Sequence, residues 1–235
     1  MRVIFLNSWF GKAEKPFFDF VKKESSKTDI FCFMEVSPAL YSNLSSILKK
    51  FNGLYQKGHY IKTFGVSCGQ AIFLAKRVKN GKTGKVLIYR QSIRDLGFMQ
   101  FAELVIGKKK LWLGSVHGKT LPGDKLDTPT RIKQSEIIIN FFAGKRGLKM
   151  IGGDFNLMPD TKSIKMIEET GYRNLTRDFN IRETRNRLCW QQFPRDKRQH
   201  FADYVFVSSE IKVKKFEVPH NEISDHLPQI LDFEI

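Results

Sequence analysis

Short apolar segments alternate with amphipathic stretches along the whole chain, and this alternation predicts an α/β fold. Ten of the short segments are rich in β-branched and aromatic residues, and several end in Gly, Asn or Ser, which is typical of strands. The predicted strands are Val3–Leu6, Ile30–Met34, Gln70–Leu74, Lys85–Tyr89, Phe98–Ile106, Lys110–Val116, Leu148–Gly152, Asp203–Val207, Lys214–Val218 and Pro228–Phe233.

Four amphipathic stretches have readable helix starts. Ser37 and Thr128 each provide a capping hydroxyl directly before a Pro in the first turn. Pro16 starts another helix, and Asp160 is expected to cap a short helix that ends at Gly171. In chain order, the side chains expected to face the core are Phe17, Phe20 and Val21; Leu40, Leu44, Ile47 and Leu48; Ile132, Ile139 and Phe142; and Ile164 and Ile167.

The segment from Arg173 to Arg198 has no such periodicity. It contains seven Arg and one Lys against three acidic residues, with Trp190 and Phe193 among them. We interpret it as a long loop, which in a compact domain is usually functional or disordered.

The length of 235 residues fits one domain spanning residues 1–235, which can bury most of its apolar surface without disulfides. Its three cysteines are far apart and form no CxxC pair, so we expect reduced thiols and a cytoplasmic protein. No segment reaches the length of a transmembrane helix, and Arg2 to Leu6 already reads as folded core, so no signal peptide is expected.

The charge changes this picture. Forty Lys and Arg against 24 Asp and Glu give a formal net charge of +16. Such an excess attracts polyanions, namely nucleic acid, an anionic membrane or a phosphorylated substrate. A general bias towards lysine, or simple solubility, would give the same balance.

Polar side chains stand where predicted strands begin or end. Because α/β proteins place their sites at one edge of a sheet, we expect these groups to meet. They are Asn7, Glu35, His117, Asp154, Asn156, Asp203, Asp225 and His226.

These residue types suit the hydrolysis of a phosphodiester. That reaction needs a hard cation at the phosphate, a deprotonated water and stabilisation of the developing oxyanion charge. Carboxylates such as Glu35 and Asp225 are ligands that Mg²⁺ prefers, and Mn²⁺ is a possible substitute. Asp154 is a candidate acceptor for the proton of the water, and the Asn156 amide would orient that water.

The two histidines are candidate donors to the phosphate oxygens. A carboxylate such as Asp203 could hold an imidazole in one tautomer and favour its protonated form. Each residue also has an ordinary structural role open to it, such as ending a strand, forming an Asx-turn or capping a backbone amide. The eight residues fall at six strand ends, and six such coincidences favour the functional interpretation.

Several motifs resemble those of the endonuclease/exonuclease/phosphatase superfamily, in the same order and along nearly the whole chain. GDFN and SDHLP carry most of the resemblance, because the other motifs are weak when taken alone. The motifs are Asn7-Ser8-Trp9, Phe33-Met34-Glu35-Val36, Ser115-Val116-His117, Gly153-Asp154-Phe155-Asn156, Asp203-Tyr204-Val205-Phe206-Val207-Ser208 and Ser224-Asp225-His226-Leu227-Pro228.

The resemblance implies a four-layered αββα sandwich, with two mixed β-sheets packed face to face and helices outside. It also implies that Glu35 binds the metal with Asn7 and Asp225 close to it. Asp154 and Asn156 would then position the nucleophilic water. Two departures stand out. Met34 replaces the usual Gln, and His117 makes the chain resemble the deoxyribonuclease I, tyrosyl-DNA phosphodiesterase and neutral sphingomyelinase branches more than the abasic-site endonucleases.

By the same resemblance, Asp203 would orient His226, and His226 and His117 would contact the scissile phosphate. The family leaves the identity of the general base, Asp154 or His226, open.

The charge favours nucleic acid as the partner. We also expect DNA rather than RNA, no membrane partner and a monomeric protein. Arginine on phosphates, with aromatic rings against bases, is typical of single-strand binding. The candidate substrate-binding residues are Arg185, Arg187, Trp190 and Arg195. Two alternatives stay open: a sphingomyelinase-like phospholipase C or small-molecule phosphatase, and a non-catalytic nucleic-acid-binding module. A lipid enzyme would need an exposed apolar hairpin, which the sequence does not show clearly, although Leu121-Pro122-Gly123 could hold one.

Overall fold

The computed structural model describes residues 1–62, 65–92, 96–191 and 193–235. Within these ranges, the strands are β1 (Arg2–Asn7), β2 (Ile30–Val36), β3 (Phe51–Gln56), β4 (Tyr60–Ile61), β5 (Val66–Ser67), β6 (Gly69–Ala75), β7 (Lys79–Arg90), β8 (Leu96–Ile106), β9 (Lys109–His117), β10 (Leu148–Asp154), β11 (Arg173–Asn174), β12 (Asp203–Val207), β13 (Lys212–Glu217) and β14 (Gln229–Glu234). The helices are α1 (Lys15–Glu24), α2 (Pro38–Ile47), α3 (Pro129–Ala143), α4 (Lys162–Glu169), α5 (Leu175–Asp178) and α6 (Arg187–Trp190).

The described strands form two six-stranded mixed sheets and a two-stranded ribbon of β4 and β5. The first sheet has the order β13-β14-β1-β2-β6-β3, and the second has the order β11-β12-β10-β9-β8-β7. In the first sheet β1 and β2 are parallel, and in the second β9 and β10 are parallel. The strands next to these pairs, β14 beside β1 and β12 beside β10, run antiparallel.

Three apolar cores separate four layers. One core lies between the sheets, where Phe5 and Leu231 of the first sheet share a cluster with Leu113 and Val205 of the second. A second core packs α1 and α2 against the outer face of the first sheet, and a third packs α3 and α4 against the outer face of the second. The predicted αββα sandwich is therefore confirmed.

All ten predicted strands are present, with ends that differ by up to six residues. The sequence analysis missed β3, which pairs with β6 at the edge of the first sheet. The reason is its composition, because Asn52 and Gly53 interrupt the apolar pattern and the strand is only half-buried.

Helix α3 begins as predicted, with the Thr128 hydroxyl accepting a hydrogen bond from Arg131 N at 3.2 Å. Its buried face is rotated from the predicted one, since Ile138 is buried whereas Ile132 and Ile139 are only half-buried. The buried face also contains Arg131, Gln134 and Ser135, polar residues that a hydrophobic pattern places outside.

Helix α4 is capped differently from the prediction, and the expectation for Asp160 was wrong. The carboxylate of Asp127 accepts hydrogen bonds from the first backbone amides of the helix, Lys162 N at 2.6 Å and Ser163 N at 3.0 Å. The cap therefore comes from the segment before α3, a long-range contact that local sequence cannot reveal.

The segment from Arg173 to Arg198 is more ordered than a long loop. It contains β11, α5, α6 and a 3₁₀ turn at Arg195–Lys197, while Gln192 lies outside the described residues. None of the described helices is long and apolar enough to cross a membrane.

The strand directions bring the predicted site residues to one edge of the sandwich. The carboxyl ends of β1, β2, β9 and β10 lie there, together with the amino ends of β12 and β14. In the second sheet Asp154 is directly opposite both His117 and Asp203.

Candidate active site

Asp154 is the centre of the cluster. It is 1% exposed, and its Oδ2 accepts a hydrogen bond from Asn7 Nδ2 at 3.0 Å. The same oxygen lies 3.8 Å from His226 Nε2 and 4.0 Å from His117 Nε2. Burial alone would raise the pKa of Asp154, but His226, Lys125 and His117 together lower it below its ordinary value. Asp154 is therefore an ionised acceptor at neutral pH.

His226 is held by a second buried carboxylate. Its Nδ1 lies 2.8 Å from Asp203 Oδ2, and both residues are almost fully buried. Burial would lower the pKa of His226, but Asp203, Asp154 and Asp225 outweigh it and raise the pKa to about 9. The imidazolium form is thus favoured, with Nδ1–H on Asp203 and Nε2–H on the side of Asp154.

Thr184 fixes the backbone that carries Asp203. Its hydroxyl oxygen accepts hydrogen bonds from Ala202 N at 3.0 Å and Asp203 N at 3.1 Å. Asp154, Asp203 and His226 each have a possible metal-ligand atom, and these three atoms lie within 4.8 Å of one another. An ion could also bridge such a spacing. The short Asp203–His226 hydrogen bond already satisfies two of the three groups, which favours a hydrogen-bonded triad here.

Gly153 permits the close approach of β10 to β9. Its φ is +124°, and a Cβ at this position would lie 2.4 Å from the carbonyl oxygen of Val116. Only glycine fits this conformation and this space, directly before Asp154 in β10.

Glu35 enters the site through a β-bulge. Its φ is +55°, and the pairing of β2 with β6 shifts register between Met34 and Val36. A bulged residue in a left-handed conformation redirects its side chain, and such features concentrate at functional sites. The carboxylate Oε1 lies 3.6 Å from His117 Nε2, and burial followed by repulsion from Asp225 raises the pKa of Glu35 to about 7.

Glu35 and Asp225 fit a hard divalent cation. Repulsion from Asp225 contributes to the raised pKa of Glu35 in this half-buried cleft, and a bound cation would relieve that repulsion. The ligand atoms of both residues are carboxylate oxygens, as Mg²⁺ prefers. The residues present therefore fit the predicted metal.

The side-chain amide of Asn7 is hydrogen-bonded through both its oxygen and its nitrogen. Its Oδ1 accepts a hydrogen bond from Trp9 N at 3.1 Å, while its Nδ2 donates to Asp154. The Ser224 hydroxyl donates to the Asn7 carbonyl at 2.7 Å, which joins β1 to the segment that carries Asp225 and His226. Asn7 thus connects Asp154 to the segment that carries Asp225 and His226.

His117 lies at the carboxyl end of β9. Its Nε2 is close to the carboxylates of both Glu35 and Asp154. Burial lowers the pKa of His117, with Asp154 partly opposing this effect. Its Nδ1 is 3.8 Å from the Cys68 thiol. In the neutral form, His117 can offer one N–H to a phosphate oxygen.

Sequence analysis missed Lys125, which reaches the same site. It is 4% exposed, and its Nζ donates a hydrogen bond to the side-chain oxygen of Asn156. A lone lysine in a Gly-Asp-Lys turn gave no signal of burial.

Arg131 was also missed. It is fully buried and donates to the carbonyls of Lys119, Thr120, Pro122 and Leu126, which shapes the loop that carries Lys125.

The predicted substrate-binding residues divide into two groups. Arg185 lies beside the site, because its backbone pairs with that of His226, and its guanidinium contacts Cys189 Sγ. Arg187 and Arg195 are both exposed. Arg187 forms an exposed ion pair with Glu222, and Arg195 is exposed in the 3₁₀ turn.

Trp190 is half-buried, with the Arg198 guanidinium 4.6 Å from its ring and the His200 ring at 5.2 Å. Together with Arg185, Phe193 and Lys197 it lines a cavity of about 460 Å³.

A larger cavity of about 530 Å³ opens on the opposite side, next to Glu35 and His117. Its walls include the rings of Phe10, Tyr89 and Phe98. The site is therefore flanked by a basic cavity with aromatic rings and by a mainly apolar cavity.

The motifs and this geometry agree with a comparison with known families. The model of the Endonuclease/Exonuclease/phosphatase family matches residues 6–226. The chain belongs to this family. Members of the family are hydrolases that act as phosphodiesterases or phosphatases. No curated protein matches the chain by sequence.

Solved structures of the family share the fold at low identity. An endonuclease/exonuclease/phosphatase family protein from Leptotrichia buccalis C-1013-b is 18% identical, with a TM-score of 0.79 over 100% of both chains. D. rerio TDP2 complexed with a single-strand DNA product is 14% identical, with a TM-score of 0.76 over 100% of this chain and 99% of that one. The Bacteroides thetaiotaomicron mannosyl-6-phosphatase is 13% identical, with a TM-score of 0.76 over 100% of both chains.

Proposed function

We propose that this protein is a Mg²⁺-dependent phosphodiesterase that hydrolyses nucleic acid, with DNA favoured over RNA. The observation that carries the proposal is the pairing of an ionised acceptor, Asp154, with a protonated donor, His226, 3.8 Å apart beside two carboxylate ligands. Phosphodiester hydrolysis needs an acceptor for the proton of the attacking water and donors for the charge that develops on the phosphate.

In this mechanism Asp154 accepts the proton of the water, because its lowered pKa keeps it ionised. The imidazolium of His226 donates from Nε2 to a phosphate oxygen, while Asp203 holds its Nδ1. His117 and the Asn156 amide add further N–H donors. Glu35 and Asp225 would hold the cation, which would supply neutralisation of the phosphate charge.

Charge and cavity chemistry support nucleic acid as the substrate. The net charge of +16 favours polyanions, and the cavity beside His226 combines Arg185 and Lys197 with the exposed ring of Phe193. Arg and Lys on phosphates with an aromatic ring against a base suit a single strand or a frayed end. The DNA product bound to D. rerio TDP2 supports DNA within this fold.

The proposal also includes a monomeric, cytoplasmic enzyme in which residues 1–235 form one catalytic domain. Its cysteines, Cys32, Cys68 and Cys189, are all buried free thiols, which agrees with a reducing compartment.

The decisive experiment is a substrate panel with Mg²⁺, Mn²⁺ or EDTA. The panel contains single-stranded, duplex and abasic DNA, 5′-tyrosyl DNA, RNA and sphingomyelin vesicles. We expect cleavage of DNA with either metal and none with EDTA. Hydrolysis of sphingomyelin without cleavage of any nucleic acid would overturn the substrate, and activity that survives EDTA would overturn the metal.

Two substitutions test the site itself. Asp154→Asn and His226→Ala should each lower kcat by at least about 1,000-fold while the protein stays folded, because the acceptor or the donor is lost. Matched controls are Asp160→Asn and His220→Ala, which change the same residue types at exposed positions. Similar rates for the site variants and the controls would mean that the chemistry occurs elsewhere.

A specific observation favours a second candidate, a phosphodiesterase for lipids or small organic phosphates. The mainly apolar cavity lies beside Glu35, and Leu121 and Leu126 are 67% and 54% exposed on the adjacent loop. The loop thus holds the exposed apolar side chains that the sequence did not show clearly. If lipid is the substrate, Leu121→Asp should lower activity on vesicles while activity on a soluble short-chain analogue is retained.

A further inference from the structure

Lys125 is an unusual lysine because it is buried and its backbone is left-handed. It is 4% exposed, and its φ is +59°. Its carbonyl accepts a hydrogen bond from Met158 N at 2.9 Å, which ties the loop after β9 to the segment after β10. The backbone and the side chain of Lys125 therefore both contact the stretch that follows Asp154.

The ammonium group of Lys125 contacts the neutral amide of Asn156. Nζ donates to Asn156 Oδ1, and Asn156 Nδ2 donates to the Gly118 carbonyl at 3.3 Å. The backbone N of Asn156 also donates to Asp154 Oδ1 at 2.8 Å. Lysine has three donors and no acceptor, so a flipped amide would place its NH₂ against another donor. The contact with Lys125 therefore sets the orientation of the Asn156 amide.

This orientation decides what Asn156 offers to a substrate. With Oδ1 engaged by the ammonium and one N–H on Gly118, the second N–H is the part of the amide left for a phosphate oxygen or a water. The ammonium is also one of the cations that lower the pKa of Asp154, after His226 and before His117.

Packing alone does not account for a lysine at this position. Burial lowers the pKa of Lys125 to about 8, so the fold keeps a charge that is costly to bury. A neutral side chain of the same length would fill the same space. Charged groups held against this cost are concentrated at functional sites.

We propose that Lys125 is a positioning residue that holds the Asn156 amide with its N–H, and not its oxygen, directed at the scissile phosphate. The inference rests on the proposed phosphodiesterase activity and adds a specific residue to it. Lys125 acts on the reacting atoms through Asn156.

A double-mutant cycle tests this role. Lys125→Met removes the charge and keeps the length, Lys125→Arg keeps the charge, and each is made in the wild-type and Asn156→Ala backgrounds. Lys133→Met, an exposed lysine on α3, is the matched control. We expect Lys125→Met to lower kcat by about 100-fold with a smaller change in KM, since small misplacements near reacting atoms have effects of this size.

In the Asn156→Ala background the same substitution should change kcat by less than about 3-fold, because its target is already gone. Lys125→Arg should recover part of the rate, and Lys133→Met should match the wild type. An equal loss in both backgrounds, or no loss in either, would overturn the proposal. If Lys125→Met does not fold, Lys125→Gln takes its place in the cycle.

A second readout is independent of activity. The side-chain amide signals of Asn156 in a ¹H–¹⁵N spectrum can be identified by their loss in Asn156→Ala. They should shift in Lys125→Met and stay in place in Lys133→Met. A shift in a protein that cleaves no phosphodiester would support the contact and reject the proposed function. Unchanged signals would reject the positioning role whatever the activity.

Discussion

At the residue scale, the site depends on backbone conformations that are uncommon for side-chain-bearing residues. Glu35, Lys125 and Asn156 all have positive φ. Such conformations cost free energy and persist where surrounding contacts enforce them. The bulge at Glu35, the Met158 contact at Lys125 and the Asp154 contact at Asn156 are those enforcing contacts. Three separate chain segments are thus shaped to bring polar atoms to one place.

The burial of Lys125 predicts how stability depends on pH. Its pKa falls from 10.5 in the unfolded chain to about 8 in the folded protein. Between these values the unfolded state binds more protons, so the penalty for burying the charge is full below pH 8 and is relieved as pH rises to 10.5. The free energy of unfolding of the wild type, relative to Lys125→Met, should rise over this range by up to about 3 kcal/mol.

Denaturant titrations of both proteins at pH 7 and pH 10 measure this difference. The comparison with Lys125→Met removes the titration of all other groups that the two chains share. A difference that is constant with pH, or that falls as pH rises, would contradict a lowered pKa.

At the element scale, α4 begins where a distant carboxylate caps it. Because Asp127 accepts the Lys162 and Ser163 amides, Asp127→Ala should lower the free energy of unfolding by about 1 kcal/mol. Asp160→Ala removes an equally exposed carboxylate two residues before the helix and should have little effect. Urea denaturation distinguishes the two, and equal losses would mean that the Asp127 contact is not a cap.

Elements with a regular pattern were predictable from sequence, and elements shaped by long-range contacts were not. The apolar runs of β1, β2 and β10 and the Ser-Pro and Thr-Pro helix starts contain local signals. The inward face of α3 contains no such local signal. Arg131 is buried there because it donates hydrogen bonds to the carbonyls of a loop. The cap of α4 depends on a residue 35 positions earlier in the chain.

The same distinction holds within the site. Residues at strand ends, such as Asp154 and His226, could be predicted to meet, since strand direction determines where they lie. The position of Lys125 could not be predicted, because it depends on the path of the loop between β9 and α3. Arg187 and Arg195 were selected by composition alone, and both are exposed, so their part in substrate binding stays a prediction.

At the scale of the whole molecule, the two carboxylates in one cleft predict that divalent cations stabilise the fold. At a Mg²⁺ concentration of about 100 times Kd, binding should stabilise the protein by about 2.7 kcal/mol, which raises Tm by about 5–10 °C for a chain of this size. Calorimetry with Mg²⁺ and with EDTA measures the shift. Glu35→Gln should abolish it, whereas the exposed Glu210→Gln should keep it. A full shift in Glu35→Gln would place the ion elsewhere.

The excess of basic residues predicts binding to DNA that weakens with salt. For a single strand the logarithm of affinity falls with a slope of about −0.7 per phosphate contact. Arg195→Ala with Lys197→Ala should therefore reduce the slope by about 1.4 if both contact phosphates. Lys212→Ala, an exposed change on β13 at the far edge of the first sheet, is the control for lost charge alone. Equal slopes in all three proteins would remove the 3₁₀ turn from the DNA surface.

The pairing of β1 with β14 has a consequence for synthesis of the protein. β1 pairs with β14, and the other described strands lie between these two in the sequence. The Asp203–His226 hydrogen bond likewise joins β12 to a residue that is translated after it. While the ribosome has made the chain only as far as β12, the first sheet therefore lacks the pairing of β1 with β14, and Asp203 lacks its histidine partner. Assembly of the candidate site is thus a late event in the folding of the nascent chain.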